Sequence, residues 1–157
     1  MNHKPPAFWT QWLLVVSIFG VTMGALMAFI PIPAKFIGPA YYNQYFGFDA
    51  YAELTEPALR FQRFIYGASG AVLVSWFIMI GWTTRRAFAE GERWAWNAIL
   101  VSTLAWFLGD VYASIVSGFA VHAALNLSLL IGIGIPLAAT YRSFHGADSE
   151  GVSNAVP

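Results

Sequence analysis

Uncharged apolar stretches dominate the chain and are long enough to cross a membrane. Residues 8–30 carry no charge, and a second apolar stretch runs from about residue 58 to 82. Residues 94–141 contain a single formal charge, Asp110, in 48 residues. One helix of that length would be more than twice the roughly 30 Å thickness of the hydrocarbon layer. We therefore expect it to fold back at Ser117-Gly118-Phe119. The pattern predicts four spans, at about residues 8–30, 58–82, 94–117 and 119–141.

Composition supports an integral membrane protein. Apolar residues make up 58% of the chain and charged residues 10%, against roughly a quarter charged in soluble domains. We expect an all-α four-helix bundle forming one domain over residues 1–142. The small, polar residues 143–157 predict a disordered cytoplasmic tail. A cleaved secretory signal is the competing interpretation of the first stretch, which is longer than the usual apolar core of about 7–15 residues.

The distribution of lysine and arginine predicts the orientation of the spans. With four spans, both termini and the second connection share one side of the membrane, and that side carries Lys4, Arg85, Arg86, Arg93 and Arg142. The first connection contains one basic residue of this kind, Lys35. Because basic residues concentrate on the cytoplasmic side, we expect both termini in the cytoplasm. Five tryptophans at the same boundary agree with this orientation.

The first connection, residues 31–57, is predicted to lie on the outer side. Pro31, Pro33 and Pro39 end the first helix and prevent its resumption. The following residues 40–46 are amphipathic and aromatic, which predicts a short helix at the interface or a lid over the outer ends of the spans. An interfacial anchor with no further role is the alternative.

Polar side chains that lipid disfavours form a predicted layer near the outer ends of the spans. An ionisable residue inside a bilayer costs a few kcal/mol unless it is paired or hydrated, and it is therefore a functional candidate. Arg63, Asp110 and Asn126 each lie six to eight residues from the outer end of a span, about 10 Å deep. We expect them to meet. The candidate ligand-binding residues are Arg60, Arg63, Tyr66, Asp110, Ser114, His122 and Asn126.

Charge and spacing indicate the chemistry of this layer. His122 and Asn126 share a helix face at i and i+4, as do Asp110 and Ser114. Arginines outnumber the aspartate, and surplus guanidinium donors suit an anionic or carbonyl-bearing head group. A structural role is the alternative, with Arg63–Asp110 as an ion pair, Glu56–Arg60 as a surface pair and Asn126 joining two helices.

The types of residue present limit which kinds of catalysis, metal binding and nucleic-acid binding the chain can support. His122 and Asp110 are candidates for an acid–base pair, although no catalytic residue is assigned. The absence of cysteine excludes thiol catalysis, disulfides and iron–sulfur clusters within the chain. A metal site lacks ligands, and no cofactor is indicated. The zero formal net charge and the lack of a basic run give no indication of nucleic-acid binding.

Four short segments carry a resemblance to known proteins. They are RFQRFIYGASG at residues 60–70, GERWAW at 91–96, WFLGD at 106–110 and ALNL at 124–127. Together they resemble a group of small bacterial four-span proteins, and their layout is similar to that of DoxX-like membrane proteins. The resemblance covers about residues 60–142. It implies a four-helix membrane fold in the bacterial inner membrane and transfers no catalytic residue.

The leading functional hypothesis is a membrane protein that binds an apolar molecule with a polar or anionic head in an outer-leaflet pocket. A quinone, an isoprenoid or a lipid fits this description. The GxxxG spacing of Gly20 and Gly24 predicts close packing of helices within the chain. One functional alternative is an accessory or structural subunit of a larger membrane complex, or a homo-oligomer, that docks through these same glycines. Another is a membrane-embedded isomerase or hydrolase that uses His122 and Asp110.

Overall fold

The computed structural model describes residues 4–30, 39, 42–47 and 50–146, and within them every regular element is helical. The long helices are α1 (Ala7–Phe29), α2 (Glu56–Thr83), α3 (Arg93–Val116) and α4 (Ala120–His145), and a π-helical turn at Thr84–Phe88 extends α2. The predicted tail lies outside the described residues from position 147 onward, and α4 continues to His145, four residues beyond the predicted end of the fourth span.

All four helices are long and apolar enough to cross a membrane. This confirms the predicted number of spanning helices and supports a multi-pass membrane protein. Large apolar side chains are exposed along the helices, among them Val15, Ile18 and Val72. Exposed apolar residues are expected where a helix faces lipid rather than water. The predicted orientation of the termini stays a prediction.

Two glycines end the helices that precede the tight connections. Gly118 has a φ of +79°, the amide of Gly118 donates to Ile115 O, and the amide of Phe119 donates to Ser114 O. These two bonds form a Schellman motif, which satisfies the last carbonyls of α3. Gly91, also at a φ of +79°, ends the π-helical turn with the same pair of bonds. The chain can therefore reverse within a few residues at both places.

The chain divides into two compact units, Ile18–Ile78 and Met1–Ser17 with Met79–Pro157. In the first unit the backbones of α1 and α2 approach closely. A Cβ added at Gly70 would lie 2.5 Å from Gly24 O and 2.7 Å from Ala28 N. Only glycine fits such a crossing, and Gly24 belongs to the predicted GxxxG pair. The pair therefore packs within the chain.

In the second unit α3 and α4 form an antiparallel pair. Ile99 of α3 and Ile133 and Leu137 of α4 are buried in its core. The indole Nε1 of Trp96 donates to Leu137 O at 2.9 Å. At the N-terminal side Lys4 Nζ lies 2.6 Å from Glu90 Oε2, which puts the start of the chain beside the second connection. Lys4 and the second connection therefore lie at the same end of this unit.

The first connection is described only in part. Residues 31–38, 40–41 and 48–49 lie outside the described residues, and so do Pro31, Pro33 and Tyr41, on which the predicted lid depends. Pro39 is described and is helical. Residues 42–46 are helical. The side-chain Oδ1 of Asn43 accepts a hydrogen bond from the amide of Tyr51 at 2.9 Å. The Tyr42 ring lies 4.7 Å from that of Phe46 and 6.1 Å from that of Tyr51, measured between centroids. This aromatic turn is held by its own contacts.

Candidate functional site

Three predicted site residues meet in the second unit, where the side chains of His122 and Asn126 both approach one carboxylate oxygen of Asp110. The side-chain Nδ2 of Asn126 donates a hydrogen bond to Asp110 Oδ2. The imidazole Nε2 of His122 lies 3.2 Å from the same oxygen. Ser114 belongs to the group differently, because its hydroxyl donates to the backbone carbonyl of Asp110 at 2.7 Å and not to the carboxylate. We call Asp110, Ser114, His122 and Asn126 the Asp110 cluster.

Helix geometry explains why these residues meet. Asp110 lies six residues before the end of α3, and Asn126 lies six residues after the start of α4. At about 1.5 Å per residue both are roughly 9 Å from the turn that joins the helices. His122 shares the face of Asn126 because it lies one turn away. Asp110, His122 and Asn126, which the sequence predicts to lie in one polar layer, are therefore in contact in this pair of helices.

Burial within the cluster increases from the imidazole to the amide. The side chains of His122 and Asp110 are 45% and 32% exposed, whereas Asn126 is buried. A buried amide that bonds a carboxylate holds it in one orientation. That carboxylate in turn orients the imidazole, as carboxylates do for histidines that bind or transfer protons. The cluster thus presents an oriented, half-exposed imidazole near the end of a spanning helix.

The predicted arginines take part in a different set of contacts, in the first unit. The Nε of Arg60 lies 3.3 Å from Glu56 Oε1, and the Nη2 of Arg63 lies 3.5 Å from the same oxygen. The three residues follow one face of α2 at spacings of four and three. We call them the arginine stripe. The predicted surface pair Glu56–Arg60 is present, and Arg63 shares the same carboxylate.

The charged side chains of the two units have different ion-pair and hydrogen-bond partners. The structure pairs Arg63 with Glu56, and it pairs Asp110 with His122 and Asn126. The predicted meeting of arginines and aspartate stays a prediction. Tyr66 is half-buried on α2, and its predicted role in a site also stays a prediction.

Two buried hydroxyls were not singled out by sequence reasoning. In the described part of the chain, Thr84 Oγ1 and Thr103 Oγ1 are buried and have no hydrogen-bond partner. Thr103 lies on the same α3 face as Ile99 and Asp110, at helical spacing. That spacing was the available signal, but threonine in an apolar helix commonly bonds its own backbone. Thr84 lies in the π-helical turn, which has no sequence signal.

Metal binding has no support in the described ranges, since no three His, Asp or Glu side chains there lie close enough to hold an ion. No protein-family model matches the chain. Comparisons with curated proteins and with solved structures likewise give no significant match.

Proposed function

We propose that this chain is a multi-pass protein of the bacterial inner membrane that binds the polar head of an apolar, membrane-dissolved molecule. The proposed ligand is a quinone, an isoprenoid or a lipid, and the proposed site is the Asp110 cluster. The observation that carries the proposal is the convergence of His122 and Asn126 on one carboxylate oxygen. Such ligand sites combine apolar walls with a few oriented polar groups.

The charge of the Asp110 cluster indicates which kind of head group it can bind. The cluster contains one carboxylate and one imidazole, so it carries no excess of positive charge. An anionic head would be repelled by Asp110 or would gain little. A hydroxyl or carbonyl head can instead exchange hydrogen bonds with an imidazole or an amide. We therefore propose a neutral polar head at this site.

Neighbouring apolar side chains support an apolar tail. Leu108 and Tyr112 on α3 and Leu125 on α4 are exposed within one turn of the cluster. Their exposed surfaces suit contact with an acyl or isoprenoid chain, because side chains on a helix able to span the membrane face the apolar layer in which such a tail dissolves. Polar and apolar groups thus occur together near one end of the helix pair.

The test is to identify what the purified protein retains. The wild-type protein, His122→Ala and Asn126→Leu would be solubilised in a mild detergent and examined by native mass spectrometry and by analysis of extracted lipids. Asn97→Leu is the matched control, because Asn97 is an exposed asparagine on α3. We expect one molecule of an apolar compound bound to the wild type and the control, and loss of it from both cluster variants. Equal retention in all four proteins would refute the proposal.

Acid–base catalysis is a second candidate, favoured by the 3.2 Å approach of His122 to Asp110. An oriented imidazole can move a proton on a bound substrate, as an isomerase or a hydrolase requires. Wild-type protein and His122→Gln would be incubated with the compound found in the first experiment, and its chemical form would be followed by mass spectrometry. Conversion by the wild type alone supports an enzyme, whereas binding without conversion supports a carrier or sensor.

A further inference from the structure

We propose that the arginine stripe binds the phosphate of an anionic lipid head group. This site lies in the unit Ile18–Ile78 and goes beyond the proposed function, which concerns the Asp110 cluster. The two proposals rest on different residues, so either can fail without the other.

The charges of the stripe do not balance. One carboxylate oxygen, Glu56 Oε1, serves both Arg60 and Arg63, at 3.3 and 3.5 Å. Each guanidinium carries five N–H donors, and these contacts engage one donor atom of each. The stripe therefore keeps one net positive charge and several donor groups directed by two planar guanidiniums. Phosphate oxygens match this donor geometry, and arginine binds them with two parallel hydrogen bonds.

Exposure makes the stripe available to a ligand. The side chains of Arg60 and Arg63 are 76% and 57% exposed. A buried ion triad would be shielded from ligands and would serve the fold, whereas exposed pairs of this kind contribute little to stability. The stripe is thus poorly explained as a device that stabilises the protein.

Position on the helix indicates a lipid rather than free phosphate. Glu56 is the first residue of α2, a helix able to span the membrane. Arg63, seven residues further, lies about 10 Å along the helix axis. A long arginine side chain at this distance from a helix end extends to the head-group region. The charged groups of the stripe therefore reach the level at which lipid phosphates lie.

Apolar side chains on the same turns provide the second half of a lipid site. Phe61, Phe64 and Ile65 are all exposed and lie between and just after the arginines. Exposed aromatic and aliphatic side chains next to a basic pair fit the acyl chains that continue from a lipid phosphate. Free phosphate would make no use of these residues. The net positive charge further favours an anionic lipid over a zwitterionic one.

The experiment measures lipid binding to the purified, full-length protein. Phosphatidylglycerol and phosphatidylcholine would each be titrated into detergent-solubilised protein, and bound lipid would be counted by native mass spectrometry. The variants are the double change Arg60→Gln with Arg63→Gln and the single change Glu56→Gln. The matched control is Arg85→Gln with Arg86→Gln, which removes the same charge from two exposed arginines at the other end of the helix.

We expect the first phosphatidylglycerol to bind the wild type more tightly than phosphatidylcholine. The double change should weaken that binding about 25-fold, that is, about fivefold for each arginine, which corresponds to roughly 1 kcal/mol for each basic residue near an anionic lipid surface. Glu56→Gln should strengthen the binding, since it removes the competing carboxylate. A merely structural stripe would give no increase in this variant.

Three results would overturn the proposal. An equal loss in the stripe variant and in the Arg85/Arg86 control would indicate a general charge effect. No preference for phosphatidylglycerol in the wild type would exclude an anionic lipid. Competition by inorganic phosphate that exceeds that of sulfate at equal ionic strength would identify free phosphate as the ligand instead. Retention of an apolar compound at the Asp110 cluster is a separate readout and is unaffected by the stripe variants.

Discussion

At the scale of single residues, hydrogen bonding explains how an aspartate is tolerated in an apolar helix. A buried charge is costly unless it is paired and hydrogen-bonded, and Asp110 has both the Asn126 amide and the His122 imidazole on one oxygen. The contact is between helices, so it also links the folding of α3 to that of α4. Asn126 contributes more to the fold than His122, because it is the buried partner.

Replacement of Asn126 should therefore destabilise the protein. We expect Asn126→Leu to lower the free energy of unfolding by about 1–2 kcal/mol, because a hydrogen bond to a charged group is lost and the carboxylate stays partly buried. The measurement is unfolding by SDS in mixed micelles. Asn97→Leu, at an exposed position of α3, should change stability little. Equal effects in the two variants would contradict this role of Asn126.

At the scale of helices, the apolar pattern predicted the elements well and their ends less well. The second span was predicted at residues 58–82, whereas α2 begins at Glu56 and continues through the π-helical turn to Phe88. Helix formation depends on backbone hydrogen bonds and not on the lipid boundary, so charged residues such as Arg85 can stay helical. The sequence carries no signal for a π-helical bond between the amide of Ala89 and Thr84 O.

The close crossing of α1 and α2 gives a prediction at this scale. We expect Gly70→Ala to destabilise the protein by about 1–3 kcal/mol, because the added methyl group meets backbone atoms that cannot move aside. Gly109→Ala is the control, since a Cβ at that helical position meets nothing within 4 Å. Thermal unfolding in detergent measures both. A tolerated Gly70→Ala would show that the two backbones lie further apart.

A further prediction concerns the turn between α3 and α4. Gly118 has a left-handed backbone at a φ of +79°, which a side chain disfavours by about 1 kcal/mol or slightly more. Gly118→Ala should lower the melting temperature. The control is Ser117→Ala, which should have little effect because Ser117 has a φ of −87°, a backbone conformation that alanine adopts without strain. A Gly118→Ala variant as stable as the wild type would show that the turn has another conformation.

At the scale of the whole molecule, the sequence predicts a membrane topology, and the chain is well suited to a cysteine-labelling experiment that tests it. It contains no cysteine, so each single-cysteine variant has one reactive thiol and the wild type is a blank control. Gln44→Cys, Glu90→Cys and Gly146→Cys place that thiol at exposed positions and leave the lysines and arginines in place.

A membrane-impermeant maleimide should label these variants by side. Intact cells should show labelling of Gln44→Cys alone, and Glu90→Cys and Gly146→Cys should react only after the membrane is opened. The physical reason is the excess of basic residues on the predicted cytoplasmic side. Labelling of position 90 in intact cells would reverse the orientation, and labelling of 90 and 146 on different sides would contradict four spans.

The sequence by itself determined the number and approximate extent of the spanning helices. Long uncharged stretches have few alternatives in a membrane, because only helices satisfy the backbone of such a segment within itself. Sequence also identified Asp110, His122 and Asn126 as polar residues of similar depth, since depth follows from the distance along a helix to its end. The fold-back followed from the length of the stretch, and its position followed from the turn-forming residues Ser117-Gly118-Phe119.

Only the tertiary structure decided which groups meet. Helical spacing placed His122 and Asn126 on one face of α4, and the structure shows that both side chains meet the Asp110 carboxylate of α3. Spacing also placed Ser114 beside Asp110, but its hydroxyl bonds the backbone carbonyl rather than the carboxylate. Periodicity defines a face of one helix, whereas a contact depends on rotamers and on how closely two helices approach, as at Gly24 and Gly70.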